Sequence, residues 1–309
     1  MNKTINKFAG TGFTAIAYLL VTLLLTAACT ARQQKGNSTK DNPNTPLTLK
    51  VMSFNMRYNN SADANNAWPH RTDSVAKLIH KELPDVIGAQ ELLKEMLTDV
   101  LRLAPQYEYV GVGREDGKEK GEYSAILYNK KRFKLLDKGW LWLSETPNTP
   151  SKGWDAACER ILTWAILQDS TTGRKMACFN THFDHVGQLA RNKSAQMLLD
   201  AVEQYANGYP VVVTGDFNAP PNDAAIQLIL NKQLPLHLTE AREVALQTEG
   251  PQWSYHEWGK LPLEKRPLID HVFLKGEIEV KNYRLLAEPD TPERVYLSDH
   301  APVVVEVAM

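Results

Sequence analysis

Short apolar runs alternate with polar turns along most of the chain, from about residue 47 to the C-terminus. Runs rich in β-branched and aromatic residues predict strands, whereas apolar residues spaced three and four apart predict helices. The predicted strands are residues 47–53, 85–90, 107–113, 123–128, 133–143, 160–168, 175–181, 210–214, 268–274, 278–285 and 302–307. The predicted helices are residues 71–81, 92–103, 188–205 and 224–230. Eleven strands with only four helices favour an α/β fold in which two sheets pack together with helices outside. Strict alternation of strand and helix is less consistent with these numbers.

The first 28 residues have a different pattern and predict a targeting segment. Lys3 and Lys7 precede an almost wholly apolar run over residues 14–28, which ends in small residues just before Cys29. A basic start, a short apolar run and small terminal residues are typical of a secretory signal peptide, here residues 1–28. A transmembrane anchor is the alternative, but the apolar run is shorter than the ~20 residues that span a bilayer.

The small residues before Cys29 resemble the cleavage site of bacterial lipoproteins, with Thr26 where Leu is usual. This resemblance implies a lipid on Cys29 and a membrane-anchored lipoprotein that faces the periplasm or the cell exterior; a secreted protein is the alternative. Residues 30–46 contain no large apolar side chain, so residues 29–46 are expected to form a flexible tether. Residues 47–309 are then the folded domain.

Net charge, the cysteines and the motifs that do not occur narrow the class of protein. The chain has 309 residues, with 35 Lys and Arg against 36 Asp and Glu, for a net charge of −1. Without a basic excess, a high-affinity duplex binder is disfavoured, although an enzyme that touches a few phosphates is not. Cys158 and Cys178 are expected in neighbouring strands but not opposite one another, which favours two buried free thiols over a disulfide. No CxxC, GxGxxG or GxxxxGK[ST] motif occurs.

Compact polar clusters directly follow or begin several of the apolar strands. They are Asn55; Gln90 and Glu91; Asn180, His182 and Asp184; Asp216 and Asn218; Asp270 and His271; and Asp299 and His300. One such residue is usually a turn or cap residue, and one His in an apolar run is usually a hydrogen-bonded core residue. Six clusters point to convergence at one edge of the sheets, since buried carboxylates and imidazoles are costly unless paired or bound to metal.

The segments SFNMR, QE, GEYSAILY, NTHFDH, TGDFN, IDH and SDH occur in this order between residues 51 and 305. Together they resemble the endonuclease/exonuclease/phosphatase superfamily, which includes deoxyribonucleases, apurinic endonucleases, deadenylases, neutral sphingomyelinases and inositol polyphosphate 5-phosphatases. The resemblance implies a four-layer α/β sandwich of the deoxyribonuclease I type. It also implies divalent-metal-dependent hydrolysis of a phosphate ester.

The resemblance assigns a metal site and a catalytic group. Glu91 matches the family's metal-binding glutamate, with the Asn55 amide oxygen and Asp299 as further ligands of Mg²⁺, or of Mn²⁺ or Ca²⁺ in its place. The catalytic residues that it implies are Asp216, Asn218, His300, Asp270, His182 and Glu122.

In this assignment Asp270 orients His300, and Glu122 pairs with His182 as in the deoxyribonuclease branch. Either Asp216 or His300 is the base, and we favour Asp216, with His300 on the phosphate and Asn218 bonded to a phosphoryl oxygen. Arg160 aligns with an arginine that contacts phosphate. The alternatives are a solvated loop acid at Glu122 and an exposed strand-start charge at Arg160.

Aromatic loops bear on the substrate. Trp253, Tyr255 and Trp258 lie in a polar segment bounded by Gly and Pro and form the expected substrate loop. Packing under loops is favoured for Trp140 and Trp142. The expected substrate is a phosphate ester of a nucleic acid, a phospholipid head group or a small molecule, and no protein partner is predicted. A nuclease-like phosphodiesterase is preferred; a sphingomyelinase-like or inositol-phosphatase-like hydrolase and a catalytically inactive binding domain are the alternatives.

Overall fold

The computed structural model describes residues 46–287 and 295–309. The predicted signal peptide, the lipidation site at Cys29 and almost all of the predicted tether lie outside these residues. Within them, none of the helices has the length and apolar character needed to cross a membrane.

The elements follow the apolar pattern closely. The strands are β1 Thr48–Asn55, β2 Val86–Leu92, β3 Tyr107–Val110, β4 Tyr123–Asn129, β5 Phe133–Trp142, β6 Ile161–Asp169, β7 Lys175–His182, β8 Val211–Asp216, β9 Thr239–Glu240, β10 Gln247–Glu249, β11 Asp270–Lys275, β12 Glu279–Leu285 and β13 Val303–Ala308. The α-helices are α1 Trp68–Glu82, α2 Lys94–Leu103, α3 Gln188–Tyr205, α4 Ala224–Ile229 and α5 Ala241–Val244. Two 3₁₀ turns cover Ser61–Asn66 and Leu263–Lys265.

The strands form two mixed sheets. The first has the order β10-β12-β13-β1-β2-β4-β3 and the second the order β5-β6-β7-β8-β11-β9. Their facing sides share one apolar core, in which Val51 and Val305 of the first sheet lie with Val212 and Val272 of the second. Strands in the middle of both sheets are buried on both faces, which is why they appear in the sequence as continuous apolar runs.

Helices cover the outer face of each sheet. Helices α1 and α2 pack on the first sheet, where Ile79 and Leu97 join Phe54 in one cluster. Helices α3 and α4 pack on the second, where Leu198 and Ile226 join strand residues in another. The predicted four-layer α/β sandwich is therefore confirmed.

The strand register brings the polar strand ends together. In the first sheet, Asn55 at the end of β1 is paired with Gln90 of β2. In the second, Asp216 at the end of β8 is paired with His182 of β7 on one side and with Asp270 of β11 on the other. Residues far apart in the sequence thus lie in one row at the same edge of the sandwich.

Departures from the predicted elements are local. All predicted strands are present, but the sequence pattern missed β9 and β10, which at two and three residues are too short to show a period. Helix α1 begins at Trp68, before the predicted start, with Pro in its first turn where no helical N–H is needed. Cys158 lies in the loop before β6 instead of in a strand and is half-buried, whereas Cys178 is buried; both are free thiols.

Candidate active site

The converging strand ends open into a cavity of about 520 Å³. The predicted site residues that line it are Glu91, Glu122, Arg160, His182, Asp216, Asn218, Tyr255, Asp299 and His300. Asn55 and Asp270 are not part of this lining, but each is hydrogen-bonded to a residue that is. Asn55 bonds Glu91, and Asp270 bonds His300. The sequence prediction that these residues lie together is met.

A bulge in β2 directs Glu91 into the cavity. The pairing of β2 with β4 shifts register between Ala89 and Leu92, and Glu91 has a left-handed backbone with φ of 61°. Such bulges re-aim a side chain next to active sites at the cost of local strain. The carboxylate accepts hydrogen bonds from the backbone N–H of Tyr58 at 3.0 Å and from Asn55 Nδ2 at 2.9 Å.

Asn55 is oriented differently from the prediction. Its amide oxygen accepts a hydrogen bond from the backbone N–H of Arg57 at 2.9 Å. Its Nδ2 therefore faces the acids and donates to Glu91 Oε1 and Asp216 Oδ2, both at 2.9 Å. In this orientation Asn55 is a donor that holds two carboxylates together, and its amide oxygen faces the backbone of Arg57.

The acidic groups around Glu91 suit a hard divalent cation. Asp299 is buried, with Arg57 Nε 3.9 Å from its Oδ2. Burial raises the pKa of Asp299, and the charge of Glu91 raises it further. Ligand atoms of Glu91, Glu122 and His182 lie within 4.8 Å of one another. A cation among these atoms would offset the repulsion between the carboxylates, and carboxylate oxygens are donors that Mg²⁺, Mn²⁺ and Ca²⁺ bind.

Asp270, His300 and Asp216 form a buried chain. His300 Nδ1 is 2.8 Å from Asp270 Oδ2, and His300 Nε2 is 3.7 Å from Asp216 Oδ2. The backbone N–H of Asp270 donates to Ser254 Oγ at 3.0 Å, which anchors the strand end. In the described part of the chain, Asp270 Oδ1 is buried without a hydrogen-bond partner.

The two carboxylates set the charge of the imidazole between them. Burial by itself would lower the pKa of His300, but the charges of Asp270 and Asp216 raise it to about 10. His300 is therefore a cation at neutral pH. Burial and the charge of Asp270 raise the pKa of Asp216 to about 7, although His300 lowers it.

Asn218 holds the Nε2 side of the His182 ring. Asn218 Nδ2 donates to His182 Nε2 at 3.0 Å and to the carbonyl oxygen of Phe183 at 3.0 Å. Both amide hydrogens of Asn218 are thus engaged, so that its predicted bond to a phosphoryl oxygen is not available in this arrangement. Burial lowers the pKa of His182 well below its usual value, and the charges of Arg160 and Arg114 lower it further, so the ring is neutral.

The predicted Glu122–His182 pair is not formed as a hydrogen bond. Glu122 Oε2 lies 3.9 Å from His182 Nδ1, beyond hydrogen-bonding distance. Both oxygens of Glu122 accept instead from Arg114, at 2.7 and 2.8 Å. The bidentate guanidinium outcompetes the imidazole because it offers two parallel N–H groups and a permanent charge. The alternative of a solvated loop acid is also wrong, because only 17% of the Glu122 side chain is exposed.

Arg160 is buried at the start of β6, so the alternative of an exposed charge is wrong. Its Nε donates to Asp184 Oδ2 at 3.2 Å, and its Nη2 lies 2.8 Å from His185 Nδ1. Among the described residues its Nη1 has no hydrogen-bond partner. Arg160 is therefore a fixed cation on the cavity wall.

The predicted substrate loop contributes one residue. Tyr255 lines the cavity, and its ring centroid is 4.9 Å from that of His300. Trp253 packs on the guanidinium of Arg266 at 4.6 Å and against the core between the sheets. Trp258 is 8% exposed and faces Arg71 at 5.4 Å. In this structure neither tryptophan lines the cavity, and each packs against an arginine of the fold instead.

Two further tryptophans were expected to pack under loops. Trp142 does so, since it is buried and its Nε1 donates to the carbonyl oxygen of Arg114 at 2.7 Å. Trp140 remains 36% exposed.

Sequence reasoning missed several residues of the cavity wall. Arg57, Tyr58, Arg114, Cys158 and His185 also line it. Arg57 closes the SFNMR segment and His185 the NTHFDH segment, so their proximity to the recognised motifs was the available signal. Arg114 lies in a charge-rich hairpin, where no local signal separates it from solvated neighbours.

Comparisons with known proteins agree with this geometry. The family model described as Endonuclease/Exonuclease/phosphatase family matches residues 52–300. A solved endonuclease/exonuclease/phosphatase from Bacteroides vulgatus is 35% identical, with a TM-score of 0.81, and the match covers 84% of this chain and 98% of that one. A mannosyl-6-phosphatase from Bacteroides thetaiotaomicron is 32% identical, with a TM-score of 0.79 and coverage of 84% and 100%.

Among curated proteins, an uncharacterized protein of Acanthamoeba polyphaga mimivirus is 26% identical over 275 residues, which are 83% of this chain and 99% of that protein. Because the family match spans both sheets and nearly every predicted site residue, the chain belongs to the Endonuclease/Exonuclease/phosphatase family and is a hydrolase of phosphate esters.

Proposed function

We propose that this protein is a metal-dependent phosphatase that removes phosphate from a small phosphate monoester such as a sugar phosphate. One observation carries the proposal: the acid and imidazole cluster lies in a cavity of about 520 Å³ whose wall also bears Arg57, Arg114 and Arg160. That volume is typical of a small-molecule site. Three guanidinium groups suit the double negative charge of a phosphate monoester.

The comparison with the mannosyl-6-phosphatase supports the same conclusion, because this chain covers all of that structure at 32% identity. The preferred expectation of a nuclease-like phosphodiesterase has less support. A protein that follows a nucleic-acid backbone needs a run of basic side chains, and the net charge of this chain is −1. The curated 3′-5′-exoribonuclease Ccr4 is 21% identical, and the match covers only 37% of it.

Asp216 and His300 have different roles in the proposed hydrolysis. Asp216 is the group that orients and deprotonates the attacking water, because its carboxylate is held in place by Asn55 and by the backbone N–H of Asn218 at 2.9 Å each. His300 is not the base, since two carboxylates keep it protonated. Its imidazolium donates to a phosphate oxygen as charge develops in the transition state.

Glu91 and Asp299 would hold the divalent cation, for which we propose Mg²⁺. The cation supplies neutralisation of charge on the phosphate and the leaving oxygen. Asn55 serves this pair from behind by fixing Glu91 against Asp216.

The decisive experiment compares monoesters with diesters. Purified protein with Mg²⁺ is incubated with mannose 6-phosphate, glucose 6-phosphate, inositol phosphates, sphingomyelin, single-stranded DNA, RNA, and the paired p-nitrophenyl and bis-p-nitrophenyl phosphates. We expect phosphate release from sugar phosphates with a kcat/KM at least tenfold above that for any diester. Faster cleavage of DNA, RNA or sphingomyelin would overturn the proposal, and no hydrolysis together with no Mg²⁺ binding would favour an inactive binding domain.

We also propose that the enzyme is exported and anchored to a membrane through a lipid on Cys29. A basic start, an apolar run and small residues before Cys29 support this. In a bacterial host, the full chain is expected in the membrane fraction and a Cys29→Ser variant in the soluble fraction. Equal fractionation of the two would refute the anchor.

A further inference from the structure

Arg114 is a cavity residue for which the motifs provide no role, and its backbone is held firmly. It lies in the hairpin between β3 and β4, where its N–H donates to the carbonyl oxygen of Glu122 at 3.1 Å. Its own carbonyl oxygen accepts from the buried Trp142 Nε1 at 2.7 Å. Asp116 ties the tip of the hairpin by accepting from the N–H groups of Lys118 and Lys120. The guanidinium is therefore presented to the cavity from a fixed support.

The side chain of Arg114 is largely buried and only partly satisfied. Its two terminal nitrogens bond both oxygens of Glu122, and the side chain is 12% exposed. Within residues 46–287 and 295–309, its Nε has no acceptor. A planar carboxylate in a bidentate contact has nearly the same geometry as two oxygens of a phosphate. Glu122 thus occupies in this structure a position that an anionic ligand could share.

Arg160 is the second unsatisfied cation on the same wall. Its Nη1 has no partner in the described residues, while Asp184 and His185 fix the rest of the guanidinium. Arg114 and Arg160 both line the cavity, and Arg114 holds Glu122, whose Oε2 lies 3.9 Å from His182 Nδ1. Two cations, each with one buried N–H group that has no partner among the described residues, therefore line the same cavity as His300.

We propose that Arg114, together with Arg160, binds the third terminal oxygen that a phosphate monoester has and a diester lacks, so that Arg114 sets the preference of this site for monoesters. The inference rests on the proposed phosphatase function and names the residue that determines it. In this proposal His300 would bind one terminal oxygen, and the cation that Glu91 and Asp299 would hold would neutralise charge on another. A diester places an esterified oxygen against the guanidinium pair, where it offers no negative charge to compensate their desolvation.

The test compares Arg114→Gln and Arg114→Lys with wild type. Lys keeps the charge but lacks the fork. The matched control is Lys118→Gln, which removes one positive charge from an exposed side chain of the same hairpin. For each protein, kcat/KM is measured with Mg²⁺ for p-nitrophenyl phosphate and for bis-p-nitrophenyl phosphate, which share a leaving group. The affinity for inorganic phosphate is measured by calorimetry, and folding is checked by urea unfolding.

We expect Arg114→Gln to lower the ratio of monoester to diester kcat/KM at least tenfold and to weaken phosphate binding at least tenfold, the effect of losing one hydrogen bond to a charged group. Arg114→Lys should fall between this variant and wild type, and Lys118→Gln should change both quantities less than twofold. If Arg114→Gln is too unstable to assay, the double variant with Arg114→Gln and Glu122→Gln replaces it, because it leaves no unpaired buried carboxylate. The double variant should bind phosphate as weakly as we expect of Arg114→Gln.

An unchanged ratio with unchanged phosphate affinity in Arg114→Gln would overturn the inference, as would equal losses on both esters. The proposed function fails separately, if wild type itself prefers the diester. Should neither ester be hydrolysed, the phosphate titration still decides whether Arg114 binds the anion.

Discussion

Arg71 of α1 is a fully buried cation that connects the segment after Asn55 with the segment before Asp299. It donates four hydrogen bonds of 2.5 to 2.7 Å to backbone carbonyl oxygens, those of Met56, Arg57, Asn66 and Leu297. Trp68 and Trp258 lie 5.3 and 5.4 Å from its guanidinium carbon. Burial lowers the pKa of Arg71 to about 10, so that it remains charged at pH 7.

Arg71→Met keeps the apolar stem but removes every one of these donors. Each carbonyl left unsatisfied costs about 1–3 kcal/mol when it stays buried. Losses within one network are not additive, and a carbonyl that reaches water recovers most of its cost, so we expect a total loss of about 3–5 kcal/mol. Because a domain has about 5–15 kcal/mol of stability, the variant should still fold. Arg71→Lys, with three donors instead of five, should lose about 2 kcal/mol.

The loss is measured as the free energy of unfolding in urea, followed by tryptophan fluorescence. The matched control is Arg102→Met on α2, whose side chain is 62% exposed and should cost less than about 0.5 kcal/mol. Because Arg71 holds the backbone beside Asn55 and Asp299, the Mg²⁺ concentration for half-maximal activity should also rise severalfold. A loss in Arg71→Met no larger than that in Arg102→Met would refute this reasoning.

The remaining predictions concern the base, the cation, the strained backbone and pH. Asp216→Asn should lower kcat by about 10²–10⁴-fold with unchanged urea unfolding, as removal of a general base does; a kcat within tenfold of wild type would assign the base elsewhere. Chelation with EDTA should abolish phosphate release and added Mg²⁺ should restore it; activity that survives chelation would contradict the metal site. Glu91→Gly should be more stable than Glu91→Ala by about 1 kcal/mol in urea, because only glycine adopts a φ of 61° without strain; equal stability would show that the strain is absent. Burial by itself would lower the pKa of His271, but Glu240 at 2.8 Å, with smaller contributions from the carbonyl oxygen of Ala219 and from Asp270, raises it above 6.5. The stability from the His271–Glu240 pair is therefore complete below pH 6.5 and is lost as the pH rises through the raised pKa of His271. The difference in unfolding free energy between wild type and His271→Gln should shrink from pH 6 to pH 9. A difference that grows would contradict a raised pKa.

The sequence pattern predicted the fold well because the sandwich has simple periodicities. β8 is buried on both faces and appears as the run VVVT, and the outer helices carry apolar residues on one side only. The polar residues at strand ends predicted the site, because register forces His182, Asp216 and Asp270 into one row. These features depend on backbone geometry, which local sequence determines.

Partner choice among side chains was beyond the sequence. Glu122 has both His182 and Arg114 within reach, and the hairpin geometry decides for Arg114. The orientation of Asn55 depends on where the backbone N–H of Arg57 points after a left-handed turn. The aromatic segment near residue 255 was predicted from composition, and composition does not distinguish a ring that faces a ligand from one that stacks on an arginine of the fold.

Three of the nine non-glycine residues that have a left-handed backbone in the described part of the chain line the cavity. They are Arg57, Glu91 and Asn218, with φ of 50°, 61° and 47°, and each follows or interrupts a strand. A non-glycine residue in the left-handed conformation costs about 1–3 kcal/mol of stability. Glycine at the same position would avoid this cost. The fold nevertheless keeps these three side chains on the cavity wall. Such a conflict between local preference and site geometry is the pattern expected where a structure serves chemistry.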